Sequence, residues 1–128
     1  MERLIAILIA MTLVVPGTAG TVTVDDDGPA DYRTIQAAID AAWHGDTVVV
    51  KPGTYRERVA FNGRQITVRS EDPSDPAVIA ATVISSTASA SVVFDFSEGE
   101  QSVLKGLTIS GGGILCTASS PTISGNVI

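Results

Sequence analysis

The chain has 128 residues, a formal charge of −6 and one cysteine, Cys116. That length allows a single domain. The acidic balance repels phosphate backbones, which argues against nucleic acid and also against anionic polysaccharide unless a cation bridges the two. A lone cysteine excludes a fold stapled by internal disulfides.

The chain opens with a short charged start, Met1-Glu2-Arg3, and an apolar run from Leu4 to Val15 broken only by Thr12. The run suits an export-signal core and is shorter than the ~20 residues a membrane span needs. Pro16-Gly17 ends it, and Gly17-Thr18-Ala19 has the small-x-small form of a cleavage site. The expectation is a signal peptide over 1–19, cut after Ala19 or Gly20. The destination is then secreted, periplasmic or cell-surface, with no membrane contact after cleavage. Removing 1–19 takes away Glu2 and Arg3, one charge of each sign, and leaves the balance at −6. Residues 20–128 then suffice for a modest core.

Thr21–Val24 alternates β-branched residues and predicts a short strand, which Asp25-Asp26-Asp27-Gly28-Pro29 breaks. Residues 34–43 predict a helix, because Ile35, Ala38, Ile39 and Ala42 form one apolar stripe. Thr34 stands at the N-cap position, with Asp31 as the alternative. Gly45 is placed to end the helix, and His44 to cap its negative end. Thr47–Lys51 is a nearly continuous apolar run of the kind buried in parallel sheets. Short β segments follow at Arg58–Phe61, Gln65–Ser70, Thr82–Ser85, Ser91–Phe96, Val103–Ser110, Gly113–Cys116 and Thr122–Ile123, separated by turn residues. No second helix is expected, so a doubly wound βαβ sheet is disfavoured.

The segments repeat loosely. Val59-Ala60-Phe61 followed by Ile66–Ser70 resembles Val92-Val93-Phe94 followed by Leu107–Gly111, and Thr-Ile-Ser-Gly occurs at 108–111 and again at 122–125. Short strands in imperfect repeats are the mark of a solenoid. A β-sandwich is the alternative, supported by one hairpin-type dipeptide, Asn62-Gly63.

Asp31–Ala42, Gly45–Gly53 and Thr54-Tyr55-Arg56-Glu57 together resemble the N-terminal cap and first coil of right-handed parallel β-helix proteins of the pectin-lyase-like superfamily. Val103–Gly113, Gly113–Cys116 and Ser119–Ile128 resemble the coil repeats of its bacterial exported members. The likeness covers nearly all of 22–128. It implies an all-β solenoid whose first helix covers the open end. Val48, Val50, Ile66, Val68, Val83, Val93, Leu107 and Ile109 would then stack inside it.

Candidate sites are few. Asp25, Asp26 and Asp27 are candidate Ca²⁺ ligands, although EF-hand spacing is absent and a solvated loop explains them as well. Asp95, Glu98 and Glu100 make a second acidic patch of the same kind. Gly53-Thr54-Tyr55-Arg56-Glu57 matches a signature that pectin methylesterases share, but the catalytic motifs of those enzymes do not occur, nor do those of polygalacturonases. Catalytic residues: none; cofactor-binding residues: none. A lyase in this fold needs a positioned base. Arg69 and Lys105 on strands are therefore the basic substrate-contact candidates, together with Tyr55. Cys116 is expected to be a small buried thiol, and Trp43 and Tyr32 to pack beside the cap helix.

The leading expectation is an exported β-helix module with a structural role, or one that presents a surface to glycans or the cell envelope. The alternative is the N-terminal portion of a polysaccharide-active enzyme (lyase-, esterase- or polygalacturonase-like) whose active groove lies beyond residue 128. A third reading is Ca²⁺-stabilised adhesion repeats. Ile128 falls inside an apparent strand repeat, so the sequence is expected to be a fragment, or one whose last coil is covered by a partner or by end-to-end self-association.

Overall fold

β-Branched residues at alternate positions, punctuated by glycine turns, set the architecture. The computed structural model describes residues 19–128, so the expected leader lies outside the described residues except for Ala19. The described elements are β1 (Thr21–Val24), α1 (Ile35–Ala41), β2 (Thr47–Val50), β3 (Gly53–Tyr55), β4 (Val59–Ala60), β5 (Thr67–Ser70), α2 (Pro76–Ala81), β6 (Thr82–Ser86), β7 (Val92–Phe94), β8 (Val103–Lys105), β9 (Thr108–Gly111), β10 (Ile114–Cys116) and β11 (Thr122–Ser124). The protein is mainly β. Three sheets run β1-β2-β5-β8-β11, β3-β6-β9 and β4-β7-β10, and none closes into a barrel. Every strand pairing is parallel. After β2 the chain visits the first, second and third sheets in turn, so β2–β3–β4, β5–β6–β7 and β8–β9–β10 are three equivalent circuits. Among the described residues no helix is long and apolar enough to cross a membrane.

Register stacks like upon like. Val22, Val48, Val68, Leu104 and Ile123 form one column across the first sheet. Tyr55, Ile84 and Ile109 form one in the second, and Val59, Val92 and Ile114 one in the third. Val48, Val68, Leu104, Ile84 and Val92 are fully buried, each contributing roughly 1.5–3 kcal/mol of apolar burial. Phe61 and Phe94 stack at 4.4 Å between ring centroids, tilted by 37°. Of the predicted core residues, Val48, Val50, Ile66, Val68, Val93, Leu107 and Ile109 are buried. Val83 is not, because β6 turns Thr82 and Ile84 inward. The polar Thr82 is accommodated there because its hydroxyl donates to Val78 O at 2.7 Å.

α1 forms as the stripe predicts. Thr34 Oγ1 accepts from Ala37 N at 3.2 Å, and Ile35, Ala38 and Ile39 are buried. Asp31 does not cap it. Its carboxylate accepts from Thr23 N and Thr23 Oγ1 and folds the loop back on β1. The helix stops at Ala42 in extended geometry, so Gly45 is no left-handed terminator directly after it. Gly45, at φ +94°, instead donates its N–H to Gln65 O at 2.8 Å. His44 Nδ1 accepts from Gln65 N at 3.1 Å and ties two circuits together rather than capping α1. Trp43 is 56% exposed rather than packed, whereas Tyr32 packs against the core.

Three elements depart from the sequence reading. A second helix, α2, exists: Asp75 caps it and Pro76 stands in its first turn, yet none of its residues is buried. β3, Gly53–Tyr55, falls on residues assigned to no strand from the sequence. The single strand expected over Val103–Ser110 is two, because Gly106 at φ +68° turns the chain from the first sheet into the second. A side chain there would collide with Pro73.

Candidate functional site

The motif Gly53-Thr54-Tyr55-Arg56-Glu57 is a structural clasp. Tyr55 is 2% exposed, and its hydroxyl donates to Lys51 O at 2.7 Å. Burial, with Asp26 and Asp25 charges adding to it, pushes the phenol far above its ordinary range. The buried ring packs and offers no face to a ligand. Glu57 receives the first amides of α1: Ile35 N donates to Oε2 and Gln36 N to Oε1, both at 2.9 Å. A carboxylate at a helix N-terminus satisfies orphan donors and meets the favourable end of the dipole. Gln36 completes the clasp. Its Oε1 accepts from Ala60 N at 2.8 Å and its Nε2 donates to Ala60 O at 3.0 Å, which pairs the free edge of β4.

The second acidic patch separates. Asp95 and Glu100 are exposed, and Glu98 is 3% exposed. Glu98 Oε2 accepts from Gly63 N at 2.9 Å, and Oε1 from Phe96 N at 2.8 Å and Ser119 Oγ at 2.9 Å. Burial alone raises its pKa, but these bonds outweigh burial and hold the carboxyl below its ordinary value. One side chain thus joins three successive turns between the third and first sheets. Asp46 works similarly at the entrance to β2, accepting from Gly20 N at 2.8 Å and Trp43 N at 2.9 Å.

Asp25, Asp26 and Asp27 do converge, with one carboxylate oxygen of each within 4.8 Å of the others. Hard oxygen donors suit Ca²⁺ in kind. Asp26 Oδ1 is buried with no hydrogen-bond partner, beside the space a Gly53 side chain would fill. Hydrogen bonding to Asp25 raises the pKa of Asp27, with the Asp26 and Asp25 charges adding to it. The Asp27 backbone N–H lowers that of Asp25.

Arg69 and Lys105 are brought together. They are register partners on β5 and β8, on the opposite face of the first sheet from Val68 and Leu104. Two rows cross that outer face. One is Thr21, Thr47, Thr67, Val103 and Thr122, and the other is Thr23, Val49, Arg69, Lys105 and Ser124. Adjacent members stand one strand spacing apart, about 4.8 Å. Lys105 is exposed, whereas Arg69 is half-buried and donates from Nη1 to Ser70 O at 2.9 Å and Glu71 O at 3.1 Å. Cys116 is exposed and unpaired rather than buried. It is in register with Phe94, on the inward column, but β10 is the edge strand of its sheet, so the thiol is covered from one side only. No protein-family model and no curated protein matches this chain.

Proposed function

We propose that the protein is an exported right-handed parallel β-helix of the pectin-lyase-like superfamily that presents its outer first-sheet face to glycans or other cell-envelope material without transforming them. The observation that carries this reading is the regular outer face itself. Thr21, Thr47 and Thr67 stand at one strand spacing and lead up to the Arg69–Lys105 pair, which gives a row of hydroxyls beside a positive centre on an acidic protein. Groups repeated at strand spacing suit an extended polymer better than a small substrate.

The test is co-sedimentation of the full chain with insoluble pectin, cellulose and peptidoglycan. Retention on at least one of them, weakened in Lys105→Ala and Arg69→Ala, supports the reading. Absence of retention on all three overturns it. Release of soluble sugar or of unsaturated products during the incubation replaces it with the enzyme alternative.

A further inference from the structure

A cavity of about 280 Å³ opens where the second sheet ends, lined by Arg56, Glu57, Arg58, Ser85, Ser86 and Thr87. Its origin is the parallel register of β3 and β6. Beyond the last paired rung, Tyr55 with Ile84, the two chains continue side by side as Arg56-Glu57-Arg58 and Ser85-Ser86-Thr87. Arg56 and Arg58 are exposed. The other strand-region arginines are tethered: Arg64 donates to Ala42 O at 2.8 Å and Arg69 to Ser70 O and Glu71 O. Neither Arg56 nor Arg58 has a side-chain hydrogen-bond partner among the described residues. Glu57, the one acid of the lining, already has an α1 amide on each oxygen, which offsets its repulsion of an incoming anion. Ser86 Oγ accepts from Ala88 N at 3.0 Å, which leaves its O–H proton to donate.

We propose that this cavity binds an oxyanion-bearing small ligand, a carboxylate, sulfate or phosphate group carried on no more than a single ring. Two guanidinium forks supply charge-assisted, bidentate-capable donors, and Ser85, Ser86 and Thr87 supply neutral ones. The volume lies just below the usual range of ligand pockets, which starts at about 300 Å³, and suits a ligand of one ring. The site stands apart from the outer face of the first sheet and does not depend on the glycan reading of that face.

The test uses the full chain and three probes: glucuronate, glucose 6-sulfate and glucose. Isothermal titration and amide chemical shifts give the two readouts. At least one anionic probe should bind saturably, shift the amides of 56–58 and 85–87, and weaken with added salt, while glucose does not bind there. Which anion binds tighter separates carboxylate from tetrahedral chemistry. Arg56→Gln and Arg58→Gln should each weaken binding about tenfold or more, the size expected for a lost charge-assisted bond. Arg58→Lys should recover part of the loss, and the exposed Arg33→Gln should match wild type. All four changes lie at exposed positions, and an unchanged melting temperature shows that each variant is folded. The proposal is overturned if neither anion binds, if glucose binds equally, or if the shifts gather around Arg69 and Lys105 instead.

Discussion

Replacing Glu98 tests whether one buried carboxylate joins successive circuits. Glu98→Gln keeps the shape but leaves one carbonyl oxygen and puts an NH2 where a donor now points inward. Wild type has three donors on the carboxylate, two amides and one hydroxyl, at 2.8–2.9 Å. Hydrogen bonds to a charged acceptor contribute about 1.5–3 kcal/mol each. At least one of these is lost outright and another becomes neutral, while the smaller desolvation cost of the amide returns part. The expected loss is roughly 2–4 kcal/mol. At about 4 °C per kcal/mol for a domain of this size, the melting temperature should fall by roughly 8–16 °C. The pH dependence has a fixed sign. The folded-state pKa lies below its ordinary value of 4.5, so the contribution is complete above that value and is lost as pH falls through the folded pKa. Differential scanning calorimetry at pH 7 and through the acid range should therefore show a gap between variant and wild type that closes below about pH 4.5. A variant that melts with wild type at pH 7, or a gap that widens in acid, refutes the reasoning.

Gly106→Ala should destabilise by about 2 kcal/mol or more, since the residue sits at φ +68° and a methyl group meets Pro73; chemical denaturation measures it. Glu57→Gln removes the carboxylate from the first amides of α1 and should cost about 1–2 kcal/mol, with hydrogen exchange at Ile35 and Gln36 rising first. Cys116 should react with a thiol reagent in the folded protein because it is exposed. Its rate at neutral pH should stay below that of a free thiol, since partial desolvation on its covered side, aided by the Glu98 charge, raises its pKa and depletes the thiolate.

The periodic parts of this fold were legible in the sequence, and the parts set by distant partners were not. The α1 stripe, the Thr34 cap and most strands follow from local pattern. The resemblance to β-helix coils already implied that Val48, Val68 and Leu107 stack inside, and they are buried. α2 was missed because its six residues are all apolar and show no apolar–polar period, and none is buried; the Asp75-Pro76 pair was the local signal for it. The Val103–Ser110 run hid its corner because Lys105-Gly106 gave one glycine rather than a turn cluster. Glu98 read as part of an acidic patch and instead bridges turns, one of its partners, Gly63, lying 35 residues away; the hold of Glu57 on Ile35, 22 residues away, likewise lay beyond any local rule. The adjacency of Arg69 and Lys105 likewise needed the register.

The two hydrogen bonds between the Gln36 amide and Ala60 give the molecule a polarity that its repetitive strands lack. A side-chain amide carries the same donor and acceptor as a peptide unit, so it occupies the place a further strand would take beside β4. New circuits duplicated into the gene upstream of β4 would compete with Gln36 for those groups, whereas circuits inserted between β4 and β7, or between β7 and β10, would find ordinary backbone on both sides. Length can therefore vary through the middle of this protein while the Gln36–Ala60 end stays fixed, and engineered variants of different length should be built by copying the β5–β7 circuit and leaving everything before Phe61 untouched.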